Sequence, residues 1–162
     1  MGIKKGKQIK TNAARILERH GIAFELLTYQ VDEDALGAVS VASELGVAAE
    51  VLLKTIVTRG DGGRLFVFCV PGPCELDLKK AARLTGSRRI ELLPSRELFQ
   101  HTGYIRGGCS PLAMKGEPVV YIEETALMHE RVLVSAGVRG AQIRLDPRGL
   151  AAVCGAEFVD VV

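Results

Sequence analysis

A chain of 162 residues, 48% hydrophobic and 25% charged, can bury the core of one full domain and is too evenly composed to be disordered or fibrous. Its formal charge of +2 is concentrated in Lys4, Lys5, Lys7 and Lys10, and taking those four away leaves the body at −2. Such a body does not hold a phosphate backbone by bulk electrostatics, so any nucleic acid must be gripped locally. Residues 1–10 are therefore expected to be a basic flexible arm and residues 11–162 a single domain. Cys69, Cys74, Cys109 and Cys154 form no C-x-x-C pair, which predicts free thiols in a reduced, cytoplasmic setting. The longest apolar run, Leu65 to Val70, is the length of a strand, and no membrane association is expected.

The first element predicted is a helix over T-N-A-A-R-I-L-E-R-H-G, with Thr11 or Asn12 as N-cap and Gly21 as the stop. F-E-L-L-T-Y follows as a strand, V-D-E-D-A-L-G as an acidic loop, and Val39 to Gly46 as a short helix closed by glycine. V-L-L-K-T-I-V-T and L-F-V-F-C-V-P flank R-G-D-G-G-R, and two β-branched or aromatic runs around such a turn predict an antiparallel hairpin. A helix then runs from near Asp77 to Gly86, with a short strand in R-R-I-E-L and a helix in P-S-R-E-L-F-Q-H-T-G. P-V-V-Y-I-E-E, R-V-L-V-S-A-G and Q-I-R-L-D read as strands, P-R-G-L-A-A-V-C-G as a helix and A-E-F-V-D-V-V as a closing strand. This inventory predicts an α/β (α+β) domain with a mixed, largely antiparallel curved sheet or barrel surrounded by helices.

Between the fourth helix and the fifth strand lies G-Y-I-R-G-G-C-S-P-L-A-M-K-G, whose Gly107 and Gly108 permit positive φ and a close approach of main chain to a ligand. Cys109 is a candidate nucleophile, but no base is fixed beside it by sequence, and a small apolar filler is the favoured reading. His20, His101 and His129 are scattered, without a ligand partner at metal spacing, so no metal or other cofactor is expected. No phosphate loop, dinucleotide fingerprint or G-x-S-x-G elbow is present. Lys54 shares a strand face with Leu52 and Ile56, and an ammonium among apolar neighbours either snorkels to an edge or meets an anion. Tyr29 reads as a core aromatic with its hydroxyl at a rim, and Ser135 as a strand-ending residue at a turn.

The succession of T-Y, V-x-x-x-L-G, V-L-L-K-T, L-D-L-K-K, T-G-Y-x-x-G-G-C-S-P and V-S-A-G-x-R-G resembles the YbaK/EbsC family of aminoacyl-tRNA deacylases, relatives of the editing domain inserted in bacterial prolyl-tRNA synthetases. The resemblance runs from about Thr11 to Val162. It implies a free-standing editing enzyme acting on the acceptor end of aminoacyl-tRNA, most notably removing cysteine from tRNA(Pro), with prolyl-tRNA synthetase as partner. It also implies catalytic roles for Lys54, Gly107 and Gly108, and substrate contacts from Tyr29, Leu36, Ser110, Pro111, Ser135 and Gln142. Two positions depart from the family: Gln142 stands where relatives often carry aspartate, and Leu36 where they carry an aromatic. The family mechanism uses no protein nucleophile; the substrate's own thiol or a ribose hydroxyl assists. The alternatives are a deacylase for alanine or serine, a non-catalytic tRNA- or synthetase-binding module, and a thiol hydrolase using Cys109.

Overall fold

The computed structural model describes Lys4–Lys5 and residues 10–162. Helix α1 (Asn12–Arg19) starts where the Thr11 hydroxyl accepts the Ala14 N–H at 3.2 Å, one of the orphan donors of a helix N-terminus. Strand β2 (Phe24–Thr28) pairs antiparallel with β8 (Ala141–Leu145), and β8 with β7 (Val132–Ser135). Lys4–Lys5, labelled β1, adds two antiparallel residues against Leu27 and Thr28; the rest of the expected arm up to residue 9 lies outside the described residues. The predicted hairpin is present as β3 (Leu53–Arg59) and β4 (Leu65–Pro71) in full antiparallel register, from Leu53 opposite Pro71 to Arg59 opposite Leu65. Beside it lie the two-residue strand β5 (Glu91–Leu92), antiparallel to β3, and β6 (Val119–Glu123) and β9 (Glu157–Val159), which run parallel to β4 and β6 respectively.

The strands thus form two sheets, ordered β1-β2-β8-β7 and β5-β3-β4-β6-β9. The curved sheet expected from sequence is two mixed and antiparallel layers, not a closed barrel. β5 pairs only with Thr58 and Arg59, leaving the start of β3 open on that side. There β7 approaches, through a single parallel bridge between Leu52 and Leu133.

Alternation along the strands divides the apolar side chains among three clusters. The central one packs Leu53, Val57, Val67 and Ile122 of one sheet against Val132, Val134, Ile143 and Leu145 of the other. It is closed by Leu17 of α1 and Leu150 of α5 (Pro147–Cys154). Behind the larger sheet, Phe68 stacks on Tyr121 with ring centroids 5.3 Å apart, under Ala81 of α3 (Leu78–Thr85). On the outer face of the smaller sheet, α2 (Ala38–Leu45) lays Val41, Ala42 and Leu45 on Leu27, Leu52 and Leu133.

Two carboxylates show how the sequence fixes ends. Asp77 caps α3 by accepting the Lys79 and Lys80 N–H groups, each at 3.0 Å, and those bonds hold its carboxyl below the usual range. Glu123, 1% exposed, accepts from Thr125 N–H at 2.8 Å, Thr125 hydroxyl at 2.5 Å and Val161 N–H at 3.2 Å. A buried carboxylate is tolerated only when so satisfied, and this one ties the C-terminal residues to β6. Among the described residues no helix is long and apolar enough to cross a membrane.

Candidate active site

The glycine-rich segment after α4 (Ser95–Thr102) is shaped by its own side chains. The Thr102 hydroxyl donates to Leu98 O at 2.7 Å and accepts the Tyr104 N–H at 3.1 Å. The Tyr104 hydroxyl reaches across the loop to Leu112 O at 2.5 Å, and burial pushes its pKa up to about 12. Ser110 is fully buried and accepts the Leu112 N–H at 3.2 Å. Pro111 O receives the Cys154 thiol at 3.5 Å. These contacts leave the segment little freedom.

The two glycines are needed for different reasons. Gly107 has φ +84°, and a Cβ there would lie 3.2 Å from Leu36 Cδ2 and 3.3 Å from Arg139 Nε. Gly108 does not take positive φ; a Cβ there would lie 3.1 Å from both Val138 C and Arg139 N, so it is close approach to the β7–β8 turn that demands glycine. The Gly108 N–H already donates to Ile105 O at 3.0 Å. Among the described residues no backbone carbonyl takes the Gly107 N–H, which leaves that group one of the loop's available donors.

Beside the loop lies a cleft of about 250 Å³, open to solvent. Its polar wall is made of Lys54 and Thr55 of β3, Gly107 and Cys109 of the loop, Ser135 of β7 and Gln142 of β8. Its apolar wall comes from Leu36, Ala38, Val41, Leu52 and Ile56. Ser135 and Gln142 stand opposite each other in the β7–β8 ladder, and Ser135 Oγ accepts the Gly137 N–H at 3.1 Å, which orients its hydroxyl.

Electrostatically the cleft is a cation facing neutral acceptors. Among the described residues no carboxylate pairs with Lys54 at ion-pair distance, and none of the residues lining the cleft is Asp, Glu or His. Gln142 is 4% exposed and its Oε1 has no hydrogen-bond partner. Thr55 Oγ1 is buried without a partner of strict hydrogen-bonding geometry, but it interacts with the Cys69 thiol opposite it in the β3–β4 ladder. Buried polar atoms in native proteins are paired with few exceptions. Gln142 Oε1, on the cleft wall, is such an exception. Burial pushes the Cys109 thiol up to about 12, so near neutral pH its thiolate fraction is on the order of 10⁻⁵; the filler reading fits and the nucleophile reading lacks a base. Among the described residues no cluster of His, Cys, Asp and Glu could hold a metal ion.

Of the residues singled out by sequence, Lys54, Gly107, Leu36, Ser135 and Gln142 meet on this cleft. Tyr29 lines an adjoining cavity of about 80 Å³ that shares Leu36 and Val41 with it. Gly108, Ser110 and Pro111 do not line the cleft; they are buried beneath the loop and hold its shape. Sequence reading passed over Thr55 and Arg139. A polar residue next to a strand lysine, and an arginine inside V-S-A-G-V-R-G, were the signals.

The Gly-rich loop, braced against the β7–β8 turn, and the strand lysine together line the cleft. The family model described as "Aminoacyl-tRNA editing domain" matches residues 32–153, and the chain belongs to that family. It is 40% identical over 158 residues to EbsC of Enterococcus faecalis, provisionally named a Cys-tRNA(Pro)/Cys-tRNA(Cys) deacylase, covering 98% of this chain and 96% of the relative. A crystal structure provisionally described as a trans-editing enzyme for prolyl tRNA synthetase superposes with TM-score 0.81 at 26% identity, covering 95% and 98% of the two chains. The crystal structure of hypothetical protein APE2540 shares the fold at TM-score 0.85 and 24% identity, over 93% and 99%.

Proposed function

We propose that this protein is a free-standing deacylase that removes a mischarged amino acid, foremost cysteine, from tRNA(Pro), with prolyl-tRNA synthetase presenting the charged tRNA. The observation that carries this is the cleft itself: Lys54, without a carboxylate partner among the described residues, lines it together with the unpartnered Gln142 Oε1, with no acid, histidine or ionised thiol on its walls. A cleft so furnished binds and orients an ester but lacks a nucleophile and base of its own. Substrate assistance supplies them.

In this reading the aminoacyl group enters with its amine toward Gln142 Oε1, and the Gly107 N–H donates to the ester oxygen as negative charge develops there. Each such donor contributes roughly 3–4 kcal/mol to the transition state, and holding the reactants in place contributes about 7–11 kcal/mol. Lys54 takes the terminal phosphate or a ribose hydroxyl. The substrate's thiol sulfur attacks the ester carbonyl carbon, the bond to the ribose oxygen breaks, and the thiol proton passes to that oxygen. A thiolactone leaves, which water opens to free cysteine. For an amino acid without a thiol, the neighbouring ribose hydroxyl orients an attacking water instead.

The test is deacylation of cysteinyl-, alanyl- and seryl-tRNA(Pro) by the purified protein, with and without prolyl-tRNA synthetase. Loss of the cysteinyl ester ahead of the others is expected. Persistence of all three esters removes the proposal and leaves a binding module.

A further inference from the structure

Arg139, in the turn between β7 and β8, is held in a way that no part of the cleft's architecture explains. Its Nε donates to Arg106 O at 2.9 Å, and its side chain lies over Gly107, where a Cβ would come within 3.5 Å of Arg139 Cγ. The guanidinium is therefore fixed at the lip of the cleft that Gly107 lines. Among the described residues its outer amino groups are nearly unused: Nη1 stands 3.9 Å from Glu33 Oε1, beyond hydrogen-bonding distance. Glu33 is 83% exposed, and an exposed pair at that separation is weak. Asp32, on the same acidic loop, turns its carboxylate to its own turn, accepting the Asp34 N–H at 2.9 Å. Arg106 adds an exposed second guanidinium without a carboxylate partner among the described residues.

An arginine whose stem is already immobilised loses little side-chain freedom on binding, and its planar fork matches two oxygens of a phosphodiester. Resting on the deacylase reading, which puts the ester carbonyl at Gly107, the next group along the RNA outside the cleft is the phosphodiester one ribose away. We propose that Arg139, braced by Arg106 O and Gly107, binds the 3′-terminal phosphodiester of the RNA and exchanges Glu33 for it, which leaves the ribose hydroxyl to Lys54 inside the cleft. Glu33 then acts as a weak placeholder that keeps the guanidinium aimed when the cleft is empty, and the glycine loop and the phosphate site move as one piece.

The probe is an uncharged RNA hairpin ending in a single-stranded CCA overhang, made with an ordinary or a methylphosphonate linkage before the last nucleoside, and followed by fluorescence anisotropy across a salt series. The unaltered protein should bind the methylphosphonate hairpin about tenfold more weakly, with a salt slope smaller by about one. Arg139→Gln should weaken binding of the ordinary hairpin by a similar factor and bind both hairpins equally. Glu33→Gln should tighten the ordinary hairpin two- to threefold. A purely structural role predicts weaker binding by Arg139→Gln with full sensitivity to the methylphosphonate retained, and that result overturns the site, as does unchanged binding by the variant or none by the unaltered protein. If the pattern appears while no aminoacyl ester is cleaved, the deacylase reading fails and the phosphate site stands. Cleavage without the pattern does the reverse.

Discussion

Replacing Gly107 by alanine tests whether the loop is built for close fit or only for its turn. At φ +84° an L-residue costs roughly 1–2 kcal/mol in backbone strain. The new methyl would sit 3.2 Å from Leu36 Cδ2 and 3.3 Å from Arg139 Nε, contacts that two mobile side-chain ends relieve by shifting a few tenths of an ångström, adding up to about 1 kcal/mol. A total near 2–3 kcal/mol leaves a domain of this size folded and lowers its melting temperature by about 4–10 °C. Both displaced groups border the cleft, and small misplacements of a reacting ester cost on the order of 10²-fold in rate. Gly62→Ala is the control: it has φ +69° with nothing within 4 Å of the added Cβ, far along the β3–β4 turn. Differential scanning calorimetry and deacylation of Cys-tRNA(Pro) are read together. Gly62→Ala should lose about half as much stability and no rate, whereas Gly107→Ala should lose both. Equal melting temperatures and undiminished turnover in the two variants would refute the close-fit reasoning.

Lys54→Ala should lower kcat/KM about 10²–10³-fold, the range for losing one charge-stabilising group, while urea denaturation shifts little, because no ion pair among the described residues depends on Lys54. Cys109→Ser should keep the deacylation rate within about twofold, since a thiol held near 12 is not the nucleophile; a large loss would revive it. Stability should fall as pH rises above about 9. Burial lifts the pKa of Cys109 and Cys154 to about 12 and raises that of Cys69, so the unfolded chain releases thiol protons first and is favoured between about pH 9 and 12. Urea midpoints at pH 8 and pH 10 measure the drop, and Cys154→Ala should make it shallower. Glu123→Ala should cost about 2–4 kcal/mol in urea unfolding, leaving the Thr125 and Val161 N–H groups without their acceptor; an unchanged midpoint would mean water replaces the carboxylate.

Local chemistry along the chain determined the elements. β-branched runs around R-G-D-G-G-R made the β3–β4 hairpin, Thr11 and Asp77 capped their helices, and strand alternation put Lys54 on the face of Ile56, because each of these depends on neighbours a few residues away. The order of motifs carried the family, and with it five of the residues that meet on the cleft. Tertiary structure decided what depends on partners distant in sequence. It split the strands into two sheets joined at Leu52 and Leu133, a pairing that periodicity cannot register. It separated Gly107, which lines the cleft at positive φ, from Gly108, whose need for glycine comes from the main chain of Val138 and Arg139 thirty residues on. It buried Ser110 and Pro111 as supports, left Gln142 Oε1 without a partner, and laid Arg139 across the loop. A residue's type fixes what bonds it can make, but only the packed chain fixes which of those bonds are already taken.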